Sequence, residues 1–227
     1  MKATLRSKVL LGFAALIAAT ASAQAALIQG NTAASTDNTG SNFSGTLLYV
    51  ANAAGTAAML TVDLLNTTPA GVGGFLTGFL MNNPDATKIT GISAYTTTTN
   101  FAQIGLSADG ANGAPFGQFD FGAALDANWE GGGAPSAGLA PGSIGSFTFT
   151  FSGTSLGTLS DQSFVNALSV GPGVGQGPQF FVARFRGLID GGSDKVPAMA
   201  VPEPGTSAML LAGLVAMIGV GARRMRS

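Results

Sequence analysis

The sequence predicts an all-β protein: a single antiparallel, jelly-roll-like β-sandwich domain, flanked by an N-terminal signal peptide and a C-terminal transmembrane helix. Three observations carry this. Apolar and polar residues alternate with a period of two, most plainly where Phe147, Phe149 and Phe151 share one face and Thr148 and Thr150 the other, the pattern of a half-buried strand. Short apolar stretches are punctuated by Gly, Asn, Asp and Pro, residues that favour turns. Between Gly45 and Ala200 no segment sustains a helical period over more than two turns.

Taken in order, Lys2, Arg6 and Lys8 precede an apolar run over 9–19 that is too short to cross a bilayer comfortably. Ala21-Ser22-Ala23 and Ala23-Gln24-Ala25 both fit the small-x-small cleavage pattern, so residues 1–25 read as a secretory signal peptide. A flexible lead-in segment is expected over 26–45, which is small and polar with few large apolar residues. The β-sandwich then occupies 46–200. Its strands are expected at 46–52, 59–65, 75–81, 88–95, 101–107, 117–121, 146–152 and around Phe181, Ala183 and Phe185, which alternate with Arg184 and Arg186. Asn83-Pro84-Asp85, Asp109-Gly110, Asn112-Gly113 and Asp190-Gly191-Gly192 supply turns. The stretch 131–142, almost wholly Gly, Ala and Pro, should be the weakest ordered part. A short helix fits 160–168, capped by Ser160 or Asp161. About eight such strands suit a sandwich.

Removing both targeting segments leaves about 175 residues, enough for one domain with a substantial core. Between those segments the basic residues are Lys88, Arg184, Arg186 and Lys195, against ten acidic ones. That acidic balance excludes the basic footprint that nucleic acid requires. The absence of cysteine leaves stability to the core, and the absence of histidine removes Ser-His and Cys-His chemistry and the usual zinc sites. No cofactor is expected.

The candidate glycan site is Asp120, Asp126 and Glu130 around Trp129, the single tryptophan. Paired carboxylates can hydrolyse glycosidic bonds, and an aromatic beside acids suits a sugar. The same residues also fit a turn at Asp126 and Asn128 with Trp129 anchoring the loop. Calcium could be sought at Asp109 with Asn112, or at Asp190 with Asp194, but neither carries the full spacing of an EF-hand or a nonapeptide repeat. Arg184 and Arg186 fit either an acidic polysaccharide or pairing with Asp63 or Asp120. The Thr run over 96–99 fits an ice lattice only as part of a larger array; alone it reads as an exposed edge or loop.

The tail, residues 201–227, has three parts. Pro202, Glu203 and Pro204 make a rigid extended lead. An uncharged apolar run over 206–222 follows, which as a helix would be roughly 25 Å long, a short but usable transmembrane span. Arg223, Arg224 and Arg226 close it and would stay on the cytoplasmic side. A helix packed on a globular core would carry a polar stripe, and none is visible. In this order and position the parts resemble the sorting signal of the PEP-CTERM family, a tail also catalogued as the C-terminal region of ice-binding proteins. In the body, Leu64-Leu65-Asn66-Thr67 and Phe181-Val182-Ala183-Arg184-Phe185-Arg186-Gly187 resemble recurrent segments of such exported proteins and bring no catalytic residue. The resemblance implies a Gram-negative bacterium, export through the Sec translocon and signal peptidase, an inner-membrane-anchored precursor, and processing by an exosortase. The expectation is a non-enzymatic cell-surface or matrix protein with a structural or adhesive role in exopolysaccharide and biofilm. The alternative is a secreted carbohydrate-binding module or glycan-active enzyme.

Overall fold

The computed structural model describes residues 25–202. The signal peptide expected at 1–25, Ala25 apart, and the transmembrane helix expected at 206–222 lie outside the described residues. Among the described residues no helix is long and apolar enough to cross a membrane.

The strands are β1 (Ala26–Gly30), β2 (Phe43–Ala51), β3 (Ala57–Asn66), β4 (Gly73–Met81), β5 (Ile89–Thr97), β6 (Phe101–Ile104), β7 (Ala111–Asn112), β8 (Gln118–Phe119), β9 (Phe121–Leu125) and β10 (Ile144–Gly153). The helix α1 (Asp161–Val165), β11 (Phe181–Leu188) and β12 (Ser193–Val201) follow. Ten strands form one antiparallel sheet in the order β5-β10-β3-β2-β1-β12-β11-β4-β9-β6, and β7 pairs with β8. The all-β antiparallel class is therefore present, but the two walls are not separately bonded sheets as a sandwich would have them. They are one sheet rolled until nearly barrel-shaped.

The join is β12. Its first half ladders with β11, from Arg186↔Ser193 to Val182↔Pro197, and its second half with β1, from Gly30↔Ala198 to Leu27↔Val201. Pro197 sits where the partner changes. A proline cannot donate to a ladder and is tolerated only where a strand is irregular; here its carbonyl accepts the Asn31 N–H at 2.7 Å. At the other end of the roll β5 and β6 are linked by the Tyr95 hydroxyl, which donates to the Phe101 carbonyl at 3.2 Å.

Alternation in the sequence becomes an aromatic core between the walls. Phe147, Phe149 and Phe151 of β10 are fully buried. The Phe79 ring of β4 stacks on Phe181 at 5.4 Å and meets Phe147 edge-on at 4.9 Å. Phe149 meets Tyr95 at 5.1 Å and Phe121 at 5.2 Å. Such ring pairs add directional attraction to the area they bury.

The wall containing β4, β9 and β11 is also covered from outside. Segments 105–120 and 126–140 bury Leu80, Phe116, Phe119, Trp129 and Val182 in a second, smaller core. Gly122 lets β9 lie close against β4, since an added Cβ would sit 2.0 Å from the Phe79 carbonyl oxygen.

Several expectations change. The segment 26–45 is not a loose lead-in. It contains β1, whose Ala26, Ile28 and Gly30 face inward, and a polar loop gathered around one carboxylate. Thr36 Oγ1 and the Asp37 N–H donate to Asp194 Oδ1 at 3.0 and 3.1 Å, and Thr39 donates to Oδ2 through its N–H at 3.2 Å and its hydroxyl at 2.7 Å. The strand expected at 117–121 is split into β8 and β9 at Asp120, which turns the chain between two ladders. The stretch 131–142 is tied down through Leu139, which exchanges backbone bonds with Leu76 at 2.9 and 3.0 Å. The helix is shorter than 160–168, and the Ser160 N–H donates to Ser163 Oγ at its start.

Two outcomes test this packing. Phe149→Ala is expected to cost about 3–5 kcal/mol in urea unfolding, whereas Thr150→Ala, on the solvent face, should cost about 1 kcal/mol or less. Burial pushes both tyrosines, Tyr49 and Tyr95, from 10.0 up to about 12. Because the folded state favours the neutral phenol, their stabilising contribution is complete below pH 10 and is lost between about pH 10 and 12, where the unfolded chain ionises first. The folded protein should show no tyrosinate absorbance component titrating near 10, while the denatured chain shows its transition there.

Candidate functional site

The described part of the tail begins where β12 ends. Val201 is the last residue in the ladder, paired with Leu27, and the following Pro202 is exposed and outside the strand. Pro202 lines a hollow of about 170 Å³ with Ala26, Leu27, Asp161, Gln162 and Ala200. The chain's exit thus lies beside its first strand. Glu203, Pro204, Arg223, Arg224 and Arg226 lie outside the described residues.

The four candidate glycan residues do not share one cleft. Asp120 lies in a hollow with Asn83, Ala86, Ile89, Thr90, Leu106 and Ala108. Its carboxylate accepts the Asn83 N–H at 2.7 Å and the Asp109 N–H at 2.8 Å, so both oxygens fasten loops. Asp126 is exposed in the turn after β9, with φ of 54°. Trp129 and Glu130 share a separate hollow with Asn112 and Asn128. The indole is only 6% exposed and packs into the second core, anchoring its loop.

Around Trp129 the structure gathers charges that the sequence did not pair. Arg184 Nη1 donates to Glu130 Oε2 at 3.0 Å, in place of the expected Asp63 or Asp120. Asp63 is engaged by the Thr46 hydroxyl on the other wall, at 3.5 Å. Arg186 donates to the Gly132 carbonyl at 2.7 Å. Lys195 Nζ donates to the Ala114 carbonyl at 2.6 Å, lies 3.8 Å from Glu130 Oε1 and stands 5.8 Å from the centre of the Trp129 ring. Burial pulls the Lys195 amine below the usual lysine range, with Glu130 opposing the shift and Arg184 adding to it. With a carbonyl, a carboxylate and a ring around it, this amine works as a clamp on two loops. Nothing local in the sequence joins Arg184 and Lys195 to Glu130, because the contact crosses from β11 and β12 to a loop 54 residues before Arg184.

Two of the calcium candidates have structural places of their own. Asp194 is fully buried within the Thr36–Thr39 loop bonds, and Asp109 is a turn residue with φ of 53°. Among the described residues no group of three or more His, Cys, Asp or Glu side chains could hold a metal ion. In the Thr run, Thr97 and Thr99 share a hydrogen bond at 3.0 Å, and their hydroxyls accept the Thr99 and Phe101 N–H groups, shaping the turn from β5 to β6.

The two carboxylates should differ sharply on removal. Asp194→Ala removes the acceptor of four hydrogen bonds, two of them from backbone N–H groups left without a partner, and is expected to cost about 3 kcal/mol. Glu130→Ala removes a half-exposed partner and should cost about 1 kcal/mol. Urea unfolding followed by Trp129 emission measures both, and equal costs would contradict the difference in burial.

No curated protein and no solved structure matches the chain. The family model of the PEP-CTERM protein-sorting motif matches residues 200–226, beginning one residue before the end of β12. The match takes in Pro202, Glu203 and Pro204 and the basic end at Arg223, Arg224 and Arg226. The chain therefore carries a PEP-CTERM protein-sorting motif, which implies an exported protein of the bacterial cell envelope and processing by an exosortase.

Proposed function

We propose that this chain is a non-enzymatic component of the surface or extracellular matrix of a Gram-negative bacterium, with a structural or adhesive role in exopolysaccharide and biofilm. Its signal peptide, residues 1–25, directs export through the Sec translocon and is removed by signal peptidase. The apolar run over 206–222 holds the precursor in the inner membrane with Arg223, Arg224 and Arg226 inside. An exosortase then cuts near Pro202, Glu203 and Pro204.

The observation that carries this reading is the sorting motif at 200–226, set directly behind the last strand of a folded body. Support for a structural role comes from the outer face of β3, β10 and β5, where the register aligns Thr61, Thr148 and Thr96 across adjacent strands. Such a hydroxyl-bearing face suits contact with hydrated polysaccharide.

The competing glycan-site reading needs Asp120, Asp126, Trp129 and Glu130 to converge. The separation of Asp120 into another hollow and the burial of the indole weigh against it.

Mass spectrometry of the surface fraction tests the processing. The expected species end between Val201 and Thr206 and disappear when the exosortase gene is deleted, leaving the intact precursor. Recovery of only full-length molecules from cells that have the enzyme would refute the proposal.

A further inference from the structure

The geometry points to the outer wall around Leu27, Ile144 and Val201 as a lipid-facing surface of the membrane-anchored form, an inference that rests on the anchoring just proposed. An open groove of about 370 Å³ crosses this wall, lined by Leu27, Thr46, Asp63, Leu65, Ile144 and Val201 among others. Ile144 is 70% exposed and Leu27 38%. Met199 lies beside them, in register with Gln29 on β1. A run of large apolar side chains left in water on one side of a protein marks a contact surface.

The length of chain beyond the structure selects the occupant. Val201 is at once a groove residue and the last laddered residue. Only Pro202, Glu203, Pro204 and Gly205 separate it from the apolar run that starts at Thr206. Even fully extended, that tether spans at most about 18 Å. The groove is therefore held within one short tether of the bilayer whenever 206–222 is inserted.

The charge of the wall fixes the kind of contact. The body's basic residues are Lys88, Arg184, Arg186 and Lys195. Lys88 pairs with Asp85, while Arg184 and Lys195 are held at Glu130 and Arg186 at Gly132. None of them lines the groove. Attraction to anionic headgroups is thus absent there, and burial of apolar side chains at the interface drives the contact. Asp63 and Thr46, the carboxylate and hydroxyl of the lining, are bonded to each other at 3.5 Å.

The chain has no cysteine, so single thiols report cleanly. Ile144→Cys and, in the loop that bonds to Pro115 outside the opposite wall, Gln176→Cys would each be labelled with an environment-sensitive fluorophore in the full chain. Each protein would then be reconstituted into vesicles of zwitterionic and anionic phospholipid. At Ile144 the emission should shift to the blue, be quenched by nitroxide-bearing lipid and keep its shift in high salt; at Gln176 it should do none of these. An Ile144 label as aqueous as that at Gln176, in protein that floats with the vesicles, overturns the inference alone. Protein that fails to float overturns the anchoring and this inference together. Once the body is cut free at a protease site inserted after Gly205 and separated from lipid, the shift should vanish. Its persistence would assign the groove to a second copy of the chain.

Discussion

The structure depends on β12 holding two different neighbours. Five strands form one wall and four complete the other, and among the described residues β12 is the strand whose ladders reach both. Antiparallel pairing satisfies the backbone of each wall internally, but neither wall covers its own apolar face. The Phe79, Phe147, Phe149 and Phe181 rings are dry only because the sheet rolls over them. Pro197 places the change of partner at one residue, since its nitrogen has nothing to donate and its carbonyl is taken by Asn31. What in sequence looks like an interruption of a strand is the corner of the roll.

That corner is backed by a second constraint, the burial of Asp194 four residues after Asp190. A carboxylate without water is tolerable only when donors replace the water. Here Thr36, Asp37 and Thr39 do so, with the Lys195 N–H in turn donating to Thr36 Oγ1 at 3.0 Å. The loop between β1 and β2 is thereby folded onto β12. The chain's first polar stretch and its last strand define each other's conformation.

These long-range dependences separate what was legible in the sequence from what was not. Strands β3 and β10 were readable because one face is core and the other solvent or polar, so Leu60, Val62 and Leu64, or Phe147, Phe149 and Phe151, alternate cleanly, and β11 because Arg184 and Arg186 mark its covered outer face. Strand β9, Phe121–Leu125, was misplaced because both its faces are buried and its small residues show no alternation. Strand β1 was missed because it is short, opens a small and polar stretch, and has one of its two partners, β12, at the far end of the chain. At the candidate site, the turn at Asp126 and the anchoring by Trp129 followed from local chemistry. The grouping of Glu130 with Arg184 and Lys195 did not, since it depends on which loops cover the β11 wall.

The sorting motif gains its meaning from the same strand. Every ladder bond of β12 lies at or before Val201, and Pro202 brings no N–H to extend it. A cut beyond Pro202 therefore leaves the roll's seam intact, whereas a cut only a few residues earlier would remove pairs between β1 and β12 and open the two walls. The last strand thus serves as both the closure of the domain and the stem of its tail. Since β12 ladders with both walls, the residues after it leave from the seam of the roll, beside β1.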